Sequence, residues 1–90
     1  MEQGVWDKSL APTNRAIAAQ PDSAAGYLQR GIIQAALAKP AEAKNDFSEA
    51  IKRSPKEINA YYNRGNILFQ EENYPAAIAD FAKAAEINPN

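Results

Sequence analysis

Two stretches of this chain are near copies of one another, offset by 34 residues. Tyr27-x-x-Arg30-Gly31 returns as Tyr61-x-x-Arg64-Gly65, and Ala43-x-x-Asp46-Phe47-x-x-Ala50 returns as Ala77-x-x-Asp80-Phe81-x-x-Ala84. Pro21, Pro55 and Pro89 keep the same spacing. A fixed period of this length means stacked copies of one supersecondary unit, each burying its apolar face against the next. Such a stack offers a surface to partners and usually carries no chemistry of its own.

Each copy reads as two helices. The first runs from Ser23 to about Gln34–Leu37, with Asp22 or Ser23 placed to cap its opening amides. Tyr27, Gly31, Ile32 and Gln34–Ala35 follow helical spacing. Lys39-Pro40 ends this helix and opens another, because proline fits the first turn, where amides have no intrahelical partner. The second helix, about Ala41 to Arg53, carries Ala43, Phe47, Ala50 and Ile51 on one stripe and stops at Ser54-Pro55. The next copy repeats the plan. One helix spans about Ile58 to Gln70, a turn follows at Glu72-Asn73, and another helix runs from Tyr74-Pro75 to about Ile87. Glycine in a helix interior costs about 1 kcal/mol against alanine. Its return as Gly31 and Gly65 therefore implies close approach of the second helix, with small residues facing large ones.

Residues 1–23 read as an irregular lead followed by the second half of an earlier copy. Arg15-Ala16-Ile17 aligns with Glu49-Ala50-Ile51, and Trp6 falls where Tyr74 falls. Proline inside a helix costs about 3 kcal/mol. The presence of Pro12 therefore predicts a helix that starts late, near Leu10, with Ser9 as its cap and residues 1–8 irregular.

Composition removes several function classes. Net charge is −1 and the ten Lys and Arg form no run, so there is no basic footprint for nucleic acid. No apolar stretch approaches the length of a membrane span, and no signal-peptide pattern opens the chain. The absence of Cys excludes disulfides, and with no His the commonest general base is missing. No nucleophile–base pair, phosphate loop or metal cluster can be assembled, so neither an enzyme nor a cofactor is expected. A cytoplasmic location is the default on these grounds.

These residues resemble the tetratricopeptide repeat family. Its first helix carries an aromatic residue and a small one four positions later, as in Tyr27/Gly31 and Tyr61/Gly65. Its second helix carries alanine, an aromatic residue and alanine, as in Ala43/Phe47/Ala50 and Ala77/Phe81/Ala84, with Pro55 and Pro89 closing each unit. Tyr62-Asn63-Arg64-Gly65-Asn66 is similar to the family's typical first helix. The chain departs from the pattern at Gln34, where Tyr or Leu is usual, at Pro40, where an aromatic is favoured, and at Thr13, where Phe47 and Phe81 recur. Sel1-like repeats lack the closing proline. Pentatricopeptide repeats use a 35-residue period and are usually basic.

The resemblance implies an all-α, right-handed superhelical solenoid of antiparallel hairpins. Residues 24–57 and 58–90 are full repeats, joined to the half motif as one continuous domain cut from a longer array. It also implies a scaffold that binds a protein or peptide in a concave groove lined by first helices. Carried over by position, the second repeat offers Asn59, Tyr62, Asn63, Asn66, Phe69 and Gln70, and the first offers Ala25, Leu28, Gln29, Ile32 and Ala36. Amides both donate and accept, which suits the backbone of an extended peptide. Family members that grip acidic chaperone tails use a clamp of Lys, Arg and Asn. Here Leu28 and Ile32 stand where the clamp's Lys and Asn belong, so that version is not expected. The alternatives are self-association, through exposed terminal helix faces such as Ile78, Ala85 and Ile87, and a role as an appendage of a larger enzyme.

Overall fold

In a computed structural model, the chain's backbone is described for residues 2–88 and its side chains for residues 10–88. The described residues form five helices and no strand: α1 Glu2–Ala19, α2 Ala24–Ala36, α3 Pro40–Arg53, α4 Ile58–Gln70 and α5 Tyr74–Ile87. Helices α2 and α3 make one hairpin, and α4 and α5 the next. Helix α1 packs on α2, α3 packs on α4, and the first helices α2 and α4 also touch. This is an all-α solenoid.

The helix ends follow their local chemistry. Ser23 sits at the N-cap of α2 with extended backbone, although its hydroxyl makes no capping bond. Pro40 and Pro75 lie in the first turns of α3 and α5, where a missing amide costs nothing. Both hairpin turns close the same way. The Lys39 amide donates to the Gln34 carbonyl at 2.9 Å and the Ala38 amide to the Ala35 carbonyl at 3.1 Å. The Asn73 amide donates to Leu68 at 2.8 Å and the Glu72 amide to Phe69 at 3.0 Å. This is the Schellman arrangement, which needs one left-handed residue. Ala38 (φ 60°) and Glu72 (φ 63°) fill that position, where glycine is usual.

The N-terminal expectation needs correction. Residues 1–8 were expected to be irregular, yet α1 begins at Glu2 and runs through Pro12. A proline removes one amide donor and crowds one carbonyl, but the turns on either side keep their bonds, so it bends a helix more readily than it ends one. Beyond Pro12 the helix is held by burial of Thr13 and Ile17, the latter against Gly26. The expected roles of the Trp6 side chain and of Pro89 lie outside the described residues.

The core lies between the hairpins. Ala43, Phe47, Ala50, Ala60 and Ile67 form its buried centre, with Ala24, Tyr27, Leu28 and Ile51 packed around it. A Cβ on Gly31 would stand 2.6 Å from Phe47 Cε1, and one on Gly65 would stand 2.8 Å from Phe81 Cε1. No real contact is that short, so the phenyl ring and the absent side chain require each other. Ile33 and Ile67, 34 residues apart, are buried, while Ile32, named from the resemblance as a groove residue, is exposed.

Candidate functional site

On α4, Asn59, Tyr62, Asn66, Phe69 and Gln70 are exposed and Asn63 is partly so. Steps of three and four residues set them along one stripe. The Asn63 amide nitrogen donates to the Asn59 carbonyl at 2.8 Å, which fixes that side chain against its own helix. The Phe69 ring meets Tyr74 edge-on, with centroids 5.2 Å apart. On α2, Ala25, Gln29, Ile32 and Ala36 are exposed, and Gln29 and Ile32 border a cleft against α1.

Leu28 and Tyr62 hold the same repeat position but differ in setting. Leu28 is partly buried against the core because the next first helix, α4, lies beside it. Tyr62 has no described first helix beyond it. It is 52% exposed and stands edge-on to Phe81 at 5.8 Å, beside a smaller cleft that Ala84 and Ala85 also line. The residues named from the sequence thus fall into an α4 stripe of amides and aromatic rings, an α2 edge turned toward α1, and one core-packed leucine. None of them is charged.

The charge lies behind this surface, in a feature sequence reading missed. Arg30 forms a two-pronged ion pair with the buried Asp46, Nε to Oδ2 at 2.7 Å and Nη2 to Oδ1 at 2.8 Å, and its Nη1 donates to Asn14 Oδ1 at 2.9 Å. Arg64 repeats the arrangement with Asp80 at 2.8 and 2.7 Å and with Ser48 Oγ at 3.0 Å. Each arginine ties its own helix to the helix before and the helix after. Gln34 adds to the first set. With its amide nitrogen turned inward it donates to the Glu42 carbonyl at 3.0 Å and to Asp46 Oδ2 at 2.8 Å. That explains an amide where the family carries an apolar residue. The return of Arg30 as Arg64 and Asp46 as Asp80 was visible in the sequence; that they pair across a hairpin was not.

Hydrogen bonding to Asp46 raises Arg30 above the ordinary arginine value, against the lowering effect of burial, and Asp80 does the same for Arg64. A raised arginine contributes stability that is complete below its unfolded value and is lost only as pH rises through the higher folded value. The arginine side of these pairs therefore brings no pH dependence to the neutral range. Among the described residues, no group of three or more His, Cys, Asp or Glu is placed to hold a metal ion, and no helix is long and apolar enough to cross a membrane.

Comparison with known proteins places this geometry. Two family models, both described as tetratricopeptide repeat, match residues 24–57 and 58–90. The human tetratricopeptide repeat protein 13 is 34% identical over 82 residues, which is 91% of this chain and 9% of that protein. The chain therefore spans about a tenth of that relative. Among solved structures, the Arabidopsis OM64 tetratricopeptide domain superposes with a TM-score of 0.91 at 26% identity, over 98% of this chain and 73% of that one. The first such domain of Spaghetti (RPAP3), bound to the HSP90 peptide SRMEEVD, gives 0.91 at 25% identity, over 99% and 71%. With its 34-residue hairpins, its glycine–phenylalanine contacts and both repeats matched, the chain belongs to the tetratricopeptide repeat family.

Proposed function

We propose that this chain is a non-catalytic interaction module that holds an extended peptide or protein segment along the face formed by α2 and α4. One observation carries the reading. Among the described residues five large hydrophobics are exposed, and three of them, Ile32 at 41%, Tyr62 at 52% and Phe69 at 55%, stand at the groove positions of the first helices. Solvent-facing apolar groups set among amides are what a peptide's side chains and backbone can use together. The similarity to a domain bound to an HSP90 peptide supports peptide binding as the class of activity.

The peptide held here differs from an acidic tail. No Lys or Arg stands at a groove position of either repeat, so an apolar side chain on Ile32, Tyr62 and Phe69, with its backbone on Asn59, Asn63 and Asn66, is the better match. Binding should then depend weakly on salt, whereas an ion-paired clamp weakens as salt screens it. The test is to isolate a partner by affinity capture and measure its dissociation constant against the parent and an Asn63→Ala, Asn66→Ala chain. The double variant should lose about 0.5–2 kcal/mol with little change in melting temperature, since Asn66 is exposed in the free chain and Asn63 bonds only within its own helix. Unchanged affinity in that variant, with a loss in Trp6→Ala, moves the binding surface to the N-terminal edge and ends the groove reading.

Self-association is favoured by a separate observation, Ile78 at 65% exposure on α5. Light scattering over a range of concentrations decides it. A monomer throughout, unaltered by Ile78→Lys with Ile87→Lys, removes this second reading.

A further inference from the structure

The two hairpin turns are closed by the same pair of backbone bonds, yet their outer corners differ. Ala35, Leu37, Ala38 and Pro40 of the first turn are replaced, 34 positions along, by Phe69, Glu71, Glu72 and Tyr74. What the second corner has beyond the first is therefore not needed to close a turn. Phe69 and Tyr74 are both exposed, and their rings meet edge-on with centroids 5.2 Å apart. The Glu72 amide donates to the Phe69 carbonyl at 3.0 Å, which brings Glu72 back onto the turn that carries the Phe69 ring.

This corner is short of positive charge. Glu71 accepts from Lys44 at 2.6 Å, but the Glu72 carboxylate has no partner among the described residues. Helix α4 has no basic residue in its last turn to balance the negative end of its dipole. Elsewhere the chain sets guanidinium groups on its own tyrosines: Arg53 lies 4.1 Å from the centre of the Tyr27 ring, and Arg64 5.8 Å from that of Tyr61. Among the described residues no cation lies over Phe69 or Tyr74. Open rings beside an unpaired carboxylate suit a cation on an apolar stem, which lays its methylenes on the rings and its charge on the acid. We infer that the α4–α5 corner is the subsite for a Lys or Arg of the bound peptide, next to the apolar residue that the groove holds. The inference rests on the groove reading above and adds a charge to it: the partner segment is basic and apolar, the reverse of an acidic tail. One exposed contact of this kind is weak, so binding as a whole keeps its weak dependence on salt.

A displayed library of random octapeptides, panned on the full chain, supplies the probe. Enriched sequences should pair an apolar residue with Lys or Arg. One of them is then made twice, as selected and with its basic residue replaced by Met, and both peptides are titrated by fluorescence anisotropy. The Met form should bind the parent about two- to ten-fold more weakly. On a Glu71→Gln, Glu72→Gln chain most of that difference should disappear, whereas Asn63→Ala with Asn66→Ala should weaken both peptides and leave their ratio unchanged. Circular dichroism melting verifies that each variant is folded, and Glu72→Gln alone decides if the pair of changes melts early. Enriched peptides without a basic residue, equal affinity of the two peptides for the parent, or a preference undiminished by Glu71→Gln with Glu72→Gln overturns the inference while the groove reading stands. No enrichment, or binding indifferent to the Asn63→Ala, Asn66→Ala change, ends the groove reading and this inference with it. A dimer, seen by light scattering, that Phe69→Ala dissociates also overturns the inference, since the corner would then be filled by a second copy.

Discussion

Phe47 and Phe81 occupy one position in two copies of the same hairpin, and their settings differ. Both rings press on a glycine of the preceding helix, Gly31 or Gly65, at nearly the same distance. Phe47 has no exposed surface and anchors the core, because α4 closes over it with Ala60 and Ile67. Phe81 is only partly buried, covered on its outer side by the edge of Tyr62. In a solenoid each unit is completed by its neighbour. Identical local chemistry therefore yields a core residue in the middle of the stack and a half-open one at its end.

The largest effect expected from this contrast is on truncation of the rings. Phe47→Ala should cost about 3–5 kcal/mol, the range for emptying a sealed aromatic site. Phe81→Ala should cost about half as much, because the ring is already partly in water and gives up less burial. Chemical denaturation of both variants measures the difference. Equal losses would mean that the second hairpin is as fully closed as the first.

Overpacking asks the same question from the other side. Gly31→Leu and Gly65→Leu each push a side chain into a phenyl ring, and each should cost roughly 1–3 kcal/mol or more. Phe47 is enclosed and cannot yield, whereas Phe81 can shift toward the open cleft, so Gly31→Leu should be the worse of the two by thermal melting. If Gly65→Leu melts at or above the parent, the hairpin packing described here is wrong.

The smallest effect concerns a feature that the two hairpins share. Ala38 and Glu72 hold left-handed backbone that disfavours any side chain by about 1 kcal/mol or more, partly offset by the extra freedom glycine has when unfolded. Ala38→Gly and Glu72→Gly should each stabilise by about 0.5–1 kcal/mol and raise the melting temperature. They should do so equally, since a turn closed by its own backbone does not depend on position in the stack. Unequal gains would show that the turns too respond to their neighbours.

Periodicity, helix count, the proline-opened second helices and the glycine–phenylalanine contacts could all be read from the chain, because each is written in residues repeated at one spacing. The arginine–aspartate ties could not. Arg30 and Asp46 lie 16 residues apart on different helices, and only the hairpin's crossing brings the guanidinium onto the carboxylate. The left-handed turns were equally hidden, since alanine and glutamate give no sign of the conformation that the closing hydrogen bonds impose. At Pro12 the intrinsic cost of one residue was read as a helix start, where the bonds of the surrounding turns carry the helix through. For the candidate site, the α4 stripe was legible because helical spacing alone puts its residues on one face. Leu28 was less so, because its burial depends on α4 lying alongside.

By itself, then, the amino-acid sequence determined the unit, its period and the glycine–phenylalanine contact inside it, because those follow from repeat spacing and from size. Tertiary structure alone decided which copies of the same residue are sealed, half-open or left facing a cleft. Burial belongs to whatever lies against a residue, and in a stack of like units that is set by the neighbouring helix and not by the residue's own place in the repeat.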